Sequence, residues 1–292
     1  MRSRRWLRLL WLVAAVAVVL MVFAACEDDE NGTPTASPAR TGTPAGSPAA
    51  TAPELADGVL QVGSDIAYAP IEFYEEGTQN AQGLDIDLGN AIGEELGVTT
   101  EYINSGFDGL PGALNASRFD IIMSAMTVTE KRQKEIDFVP YFIAGTDILV
   151  AKGNPKNIQS IEDLSGLTVA VQLATIQVGQ LEAANADLKA AGKPEINVLT
   201  FDQNPLAVEQ LRLGRANAVL ADSPVAANDA RLSEGELETV GITVPPEPYG
   251  IGVRKGSTAL KAAIEDALQA VMDSGKYDEI LEAWSLSGGA IE

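Results

Sequence analysis

From Gly58 onward the chain alternates short apolar runs with stretches in which apolar residues recur at helical spacing. Val59-Leu60-Gln61-Val62-Gly63 predicts a strand, and residues 98–103 a second. Between them apolar residues at Ile86, Leu88, Ile92 and Leu96, ahead of Gly97, predict a helix over 86–96 closed by a glycine cap. Short helices are expected over 109–116 and 129–136, on either side of a buried strand over 119–126. A second unit follows, with strands over 167–171 and 216–221 and helices over 178–191 and 206–213. The end of the chain reads as helical over 260–272 and 277–284. Strands alternating with helices predict an α/β fold on a mostly parallel sheet, and no internal repeat suggests a solenoid.

The stretch ahead of Gly58 has a different character. Arg2, Arg4, Arg5 and Arg8 precede an unbroken apolar run of 17 residues, Leu9 to Ala25, that ends in small residues directly before Cys26. A basic start, an apolar middle and small residues before a cut predict a secretory signal over 1–25. The run is also at the short limit of a membrane span, so an uncleaved anchor is the alternative. Both readings place the rest of the chain outside the cytoplasm. Residues 27–30 are all acidic, and 21 of the 23 residues from Asn31 to Pro53 are Gly, Ala, Ser, Thr or Pro. Such a segment buries too little apolar surface to offset its ordering entropy, which predicts a flexible tether over 26–57.

Composition narrows the chemistry. The 292 residues include 41 Asp and Glu against 20 Lys and Arg, a formal charge of −21. Phosphate contacts need clustered cations, so this balance argues against nucleic-acid binding. There is no His and one Cys. Their scarcity removes His general bases, Ser-His and Cys-His triads, His or Cys metal sites and internal disulfides. No metal or cofactor is expected.

In open α/β sheets, ligands bind beyond the C-terminal ends of strands, where helix N-termini present free N–H groups. Three such places stand out: Ser64-Asp65-Ile66-Ala67-Tyr68, then Thr127-Val128-Thr129-Glu130-Lys131-Arg132, then Asp222-Ser223-Pro224. To these join Ala69-Pro70-Ile71-Glu72-Phe73, Gly83-Leu84-Asp85-Ile86-Asp87-Leu88, Ser124-Ala125-Met126, Ile136-Asp137-Phe138, Ala218-Val219-Leu220-Ala221, Tyr249-Gly250-Ile251-Gly252-Val253 and Gly275-Lys276-Tyr277. In this order and spacing, over about 60–284, the chain resembles the family 3 extracellular solute-binding proteins, the polar amino-acid receptors of ABC importers. The small pair before Cys26 likewise resembles the lipobox of bacterial lipoproteins. That resemblance implies a diacylglyceryl group on Cys26 and attachment to the outer face of the cell membrane.

The family resemblance implies a two-lobed, type II periplasmic-binding-protein-like α/β fold, with the ligand cleft between lobes joined by a two-segment hinge. Lobe 1 would comprise 58–145 plus 250–292 and lobe 2 would comprise 146–249, with crossings near 145–150 and 246–250. Carried over residue by residue, Arg132 holds the ligand α-carboxylate, for which a guanidinium fork is suited. Thr127 and the backbone around Ala125 add donors, and Asp222 takes the α-ammonium. Tyr68 and Phe107 sandwich the side chain, Asp65 and Gln172 line its far end, and Thr175 offers its N–H to the carboxylate. Where the family has glycine, this chain has Ala174, and close backbone approach is less free there. Glu72, Asp85 and Asp87 read as structural.

The function implied is capture of a polar amino acid, neutral or cationic, by a monomer that delivers it to a permease. It is not an enzyme on this reading. The alternatives are a cyclohexadienyl or arogenate dehydratase-like enzyme on the same fold, and an extracellular amino-acid sensor. Without His, an enzyme would have only carboxylates, Lys or Tyr for proton transfer.

Overall fold

The computed structural model describes residues 52–291. The signal over 1–25, Cys26 and the tether up to residue 51 lie outside the described residues. Ordered chain begins ahead of Gly58: a 3-10 turn spans Pro53–Leu55, and Ala52 and Leu55 are buried in the main core.

The first strand, β1 (Val59–Ser64), buries Leu60 and Val62 and leads into a small antiparallel sheet of β2 (Ala67–Tyr68), β3 (Glu72–Tyr74) and β4 (Ala81–Gln82). Helix α1 (Leu84–Leu96) buries Leu84, Leu88 and Ile92 and stops at Gly97, whose φ of +72° a glycine adopts without strain. Then come β5 (Thr99–Asn104), α2 (Leu110–Asn115), β6 (Ile121–Ile122) and α3 (Glu130–Gln133). After the long β7 (Ile136–Ala151), the chain forms β8 (Thr168–Gln172), α4 (Ile176–Ala190), β9 (Asn197–Phe201), α5 (Asn204–Arg212), β10 (Ala218–Asp222) and α6 (Ser223–Leu232). The long β11 (Leu237–Arg254) leads back to α7 (Thr258–Asp273) and α8 (Lys276–Ala283).

Eight strands form one sheet in the order β5-β1-β6-β11-β7-β10-β8-β9. The pairs β5–β1, β1–β6, β10–β8 and β8–β9 are parallel, whereas β11–β6, β11–β7 and β10–β7 are antiparallel. The expected parallel sheet is thus mixed at its centre. The two long strands run side by side through the middle, and their ladder breaks register four times between Thr239 and Gly250. Such breaks bend a strand and increase its local twist. Apolar clusters lie on both sides of these crossings. One gathers Leu60, Val62, Leu88, Ile92 and Ile264; others gather Ile148, Val169, Leu181 and Leu220, or Leu149, Val208 and Val219.

The run expected as a strand over 119–126 pairs only at Ile121–Ile122. Beyond it Ala125 takes φ of +46°, so the chain leaves the ladder while staying buried. The helix expected over 129–136 is shorter, because Ile136 already starts β7.

Gly63 in β1 lies under the Phe119 ring, with no room for a Cβ. Gly63→Ala should lower the free energy of unfolding by about 1–3 kcal/mol through overpacking. Denaturant titration measures it, and an unchanged midpoint would refute the packing.

Candidate functional site

Strand ends and the loops that leave them converge on one cavity. Asp65 follows β1, Tyr68 belongs to β2, Phe107 starts the turn after β5, and Ala125 and Thr127 lie between β6 and α3. Arg132 is on α3, Gln172 ends β8, Thr175 caps α4 and Asp222 ends β10. All nine line the same cavity. Glu72, Ser124, Ile176 and Gln177 line it as well.

Arg132 is the basic member of this lining. Its Nη1 donates to the Thr127 carbonyl at 2.7 Å and its Nη2 to the Ala174 carbonyl at 3.0 Å. The guanidinium carbon lies 5.3 Å from the centre of the Phe107 ring, a cation–π contact that steers the fork. The Thr129 hydroxyl accepts the Arg132 N–H and caps α3, which fixes where the side chain departs. Ala174 adopts φ of +62°, so the turn forms with alanine in a conformation that favours glycine.

The carboxylates are more deeply placed. Asp222 accepts from Gln177 Nε2 at 2.7 Å and from the Tyr68 hydroxyl at 3.1 Å, and its own N–H donates back to that hydroxyl at 3.2 Å. Asp65 accepts from Gln172 Nε2 at 2.7 Å, and its N–H donates to Ser124 Oγ, which in turn donates to Glu72 Oε1 at 2.9 Å. Behind them, Asp85 accepts the Ala125 N–H at 3.0 Å and the Tyr141 hydroxyl at 2.7 Å. The Ala125 N–H is thus engaged by Asp85, so a donor from the backbone around Ala125 would have to be another N–H. Thr175 Oγ1 donates to the Gln172 carbonyl and stabilises the turn into α4. Asp87 accepts from Trp284 Nε1 and is structural, as expected.

Glu72, Ser124, Ile176 and Gln177 are the lining residues that sequence reasoning missed, Glu72 having been expected to be structural only. The available signal for Glu72 was an acid between Ile71 and Phe73 in an apolar strand; the strand phase alone turns it away from them.

Burial raises the proton affinity of each acid in the cluster. Asp65 is shifted up by desolvation, against the pull of its hydrogen bond from Gln172. Asp222 is shifted up by desolvation, against hydrogen bonds from Gln177 and Tyr68 and the charge of Arg132. Glu72 is raised well above the ordinary range by desolvation and by the charge of Asp85, and Asp85 itself is pushed up to about 7 by desolvation. Arg132 is lowered by desolvation.

With carboxylates raised in the folded state, the folded chain holds protons that the unfolded chain has released. Stability therefore falls as pH rises. For Asp85 the contribution is complete below about pH 4 and is lost as pH climbs through about 7. Urea midpoints measured from about pH 5 to about pH 8 should decline with pH; a rise across this window would contradict the assignment.

Comparison with known proteins agrees with this geometry. The profile of the bacterial extracellular solute-binding proteins, family 3, matches residues 60–287. A probable histidine-binding protein of Neisseria gonorrhoeae is 31% identical over 92% of this chain and 93% of its own length. The arginine-binding protein ArgT of Corynebacterium glutamicum is 31% identical over 96% of this chain and 93% of its own. Among solved structures, an ancestral arginine-binding protein bound to arginine is 39% identical with a TM-score of 0.72, over 78% of this chain and 98% of that one. An ancestral arginine-binding protein bound to glutamine is 38% identical, also with a TM-score of 0.72, over 78% of this chain and 98% of that one. The mixed sheet, the two long central strands and the cavity between the apolar clusters form the two-lobed, type II binding-protein fold of these relatives. The chain belongs to the bacterial extracellular solute-binding proteins, family 3.

Proposed function

We propose that this protein captures a polar amino acid in the cleft outside the cytoplasm and hands it to an ABC importer permease. The observation that carries this reading is the pairing of one guanidinium and one buried carboxylate, Arg132 and Asp222, on a single cavity. A zwitterion needs one partner for each α-group, and both partners here are desolvated enough to make the pairing count. Thr127 supports the carboxylate end, and Tyr68 and Phe107 flank the ligand side chain. Thr175 offers its N–H to the carboxylate from the cap of α4. The lobes divide at about residues 145 and 250, and β7 and β11 serve as the hinge. Nothing in the cluster sets a proton donor against a leaving group, so the reading is binding without chemistry.

The side-chain end favours a cation. Once Arg132 and Asp222 are matched to the α-groups, Asp65 and Glu72 remain, with Gln172 as a neutral partner. An acidic side chain would add like charge in a dry cleft. The reading therefore puts arginine and other cationic amino acids first, glutamine next, and glutamate and aspartate last. It agrees with relatives named for arginine and histidine and with ancestral arginine-binding proteins solved with arginine and with glutamine.

Removing either α-group partner leaves a buried ligand charge unpaired, at a cost of about 2–5 kcal/mol. Arg132→Ala and Asp222→Ala should each weaken binding by roughly one and a half to three and a half orders of magnitude in titration calorimetry, with native circular dichroism. An Arg132→Ala variant within about threefold of the parent would refute the role assigned to it.

We also propose that Cys26 carries the lipid and that 26–51 is the tether. Cys26→Ser should abolish lipid labelling and leave the protein either released or as uncleaved precursor. Retention of a mature, membrane-bound, lipid-labelled form would rule out the anchor.

A further inference from the structure

Every carboxylate of the cleft cluster but one has hydrogen bonds at both oxygens or a matching amide. Asp222 has Gln177 and Tyr68, Asp65 has Gln172, and Asp85 has Tyr141 and the Ala125 N–H. Glu72 is the exception. It is 1% exposed, sits opposite Tyr68 in the β2–β3 ladder and lines the cavity. Its Oε1 accepts from Ser124, but its Oε2 is buried with no hydrogen-bond partner. A buried carboxylate with an unmatched oxygen is the one that tolerates ionisation least.

The charges around it point the same way. Asp65 from the loop after β1, Asp85 from α1 and Asp222 from β10 act on it as like charges, and the Tyr68 and Tyr141 hydroxyls face it from β2 and β7. Arg132 on α3 and Tyr249 on β11 act on Asp222 instead. No cation is spent on Glu72 among the described residues of the lining. Both oxygens of Asp85 already receive donors, so of these two acids Glu72, with a bare Oε2, is the better placed to hold a proton.

We propose that Glu72 is a specificity-determining residue that stays protonated around a neutral ligand and releases its proton to solvent when a ligand brings a cationic side chain. The inference rests on the reading of the cleft as an amino-acid site. The balance is simple: one positive charge enters the cavity on the side chain, one proton leaves Glu72 Oε2, and the cavity's net charge is unchanged. Glutamine brings no such charge and displaces nothing. Affinity for arginine should therefore rise with pH by up to roughly tenfold per pH unit where the exchange is complete, and affinity for glutamine should stay flat.

The test is titration calorimetry of the full-length, ligand-stripped protein with arginine and with glutamine, near neutral pH, in two buffers of different ionisation enthalpy. The expected result is a buffer-dependent enthalpy for arginine, equivalent to release of much of one proton, and a buffer-independent one for glutamine. Glu72→Gln should abolish the arginine-linked release and lower the arginine-over-glutamine preference by about tenfold. Arginine binding with no proton release overturns the inference, and so does glutamine binding without arginine binding. Either result leaves the amino-acid reading standing. Failure of both ligands to bind in any buffer removes that reading and this inference with it. The measurement on the parent protein decides the matter even if the variant does not fold.

Discussion

The cleft depends on one buried carboxylate. Asp85, in the first turn of α1, ties three parts of the chain together through the Ala125 N–H and the Tyr141 hydroxyl. The bond to Ala125 holds that residue at a positive φ, a conformation that costs an L-residue about 1–2 kcal/mol. That turn sends Met126 into the core and Thr127 onto the cavity, where its carbonyl takes one arm of Arg132. The bond to Tyr141 fixes the loop to β7, and Tyr277 of α8 donates to the Tyr141 carbonyl from behind. A single acid thereby aligns a helix, a loop and a central strand, and the cleft wall follows from that alignment.

On the proposed reading, the two long strands also give the cleft a way to move. β7 and β11 carry the chain between the apolar clusters, and their register breaks lie where few core contacts brace them. Asp147 accepts the Gly241 N–H there, with Gly241 at φ of +112°, and Gly145 packs closely against Ile242 and the Val244 carbonyl. Bulged, twisted strands absorb rotation at a few residues while the packed halves stay rigid. Tyr68–Asp222, Gln172–Asp65 and Arg132–Ala174 are hydrogen bonds between residues far apart in sequence that meet across the cavity, and on the proposed reading they would have to break for the lobes to open.

Local periodicity made much of this fold legible. The face of α1 and the apolar cores of β1 and α7 are set by neighbours in sequence, and they read correctly. β11 did not, because its exposed half holds Gly241, Pro245, Pro246 and Pro248, residues that break strand alternation and are tolerated here by register shifts. The run over 119–126 misled for the opposite reason: it is apolar because it is buried, and burial does not require pairing. Site residues at strand ends were legible through the family resemblance. Glu72 and Gln177 were not, because what holds them at the cavity is long-range: the bond from Ser124, 52 residues on, for Glu72, and the meeting of α4 with β7 and β10 for Gln177.

The acid surplus of the chain continues into its cavity, and this bears on selectivity. Three carboxylates and one guanidinium lie on the lining. In water such an imbalance costs little, but closing the cleft removes the solvent that screens it. The cost can be met by protons, by donors from the protein, or by charge on the ligand. Gln172, Gln177 and Tyr68 supply donors to Asp65 and Asp222, and the supply stops at Glu72. On the proposed reading, discrimination between ligands then arises less from the contacts a favoured side chain makes than from the repulsion a wrong one meets. A carboxylate side chain would face two acids with no free cation. A guanidinium or ammonium side chain brings the charge that the fold itself leaves out.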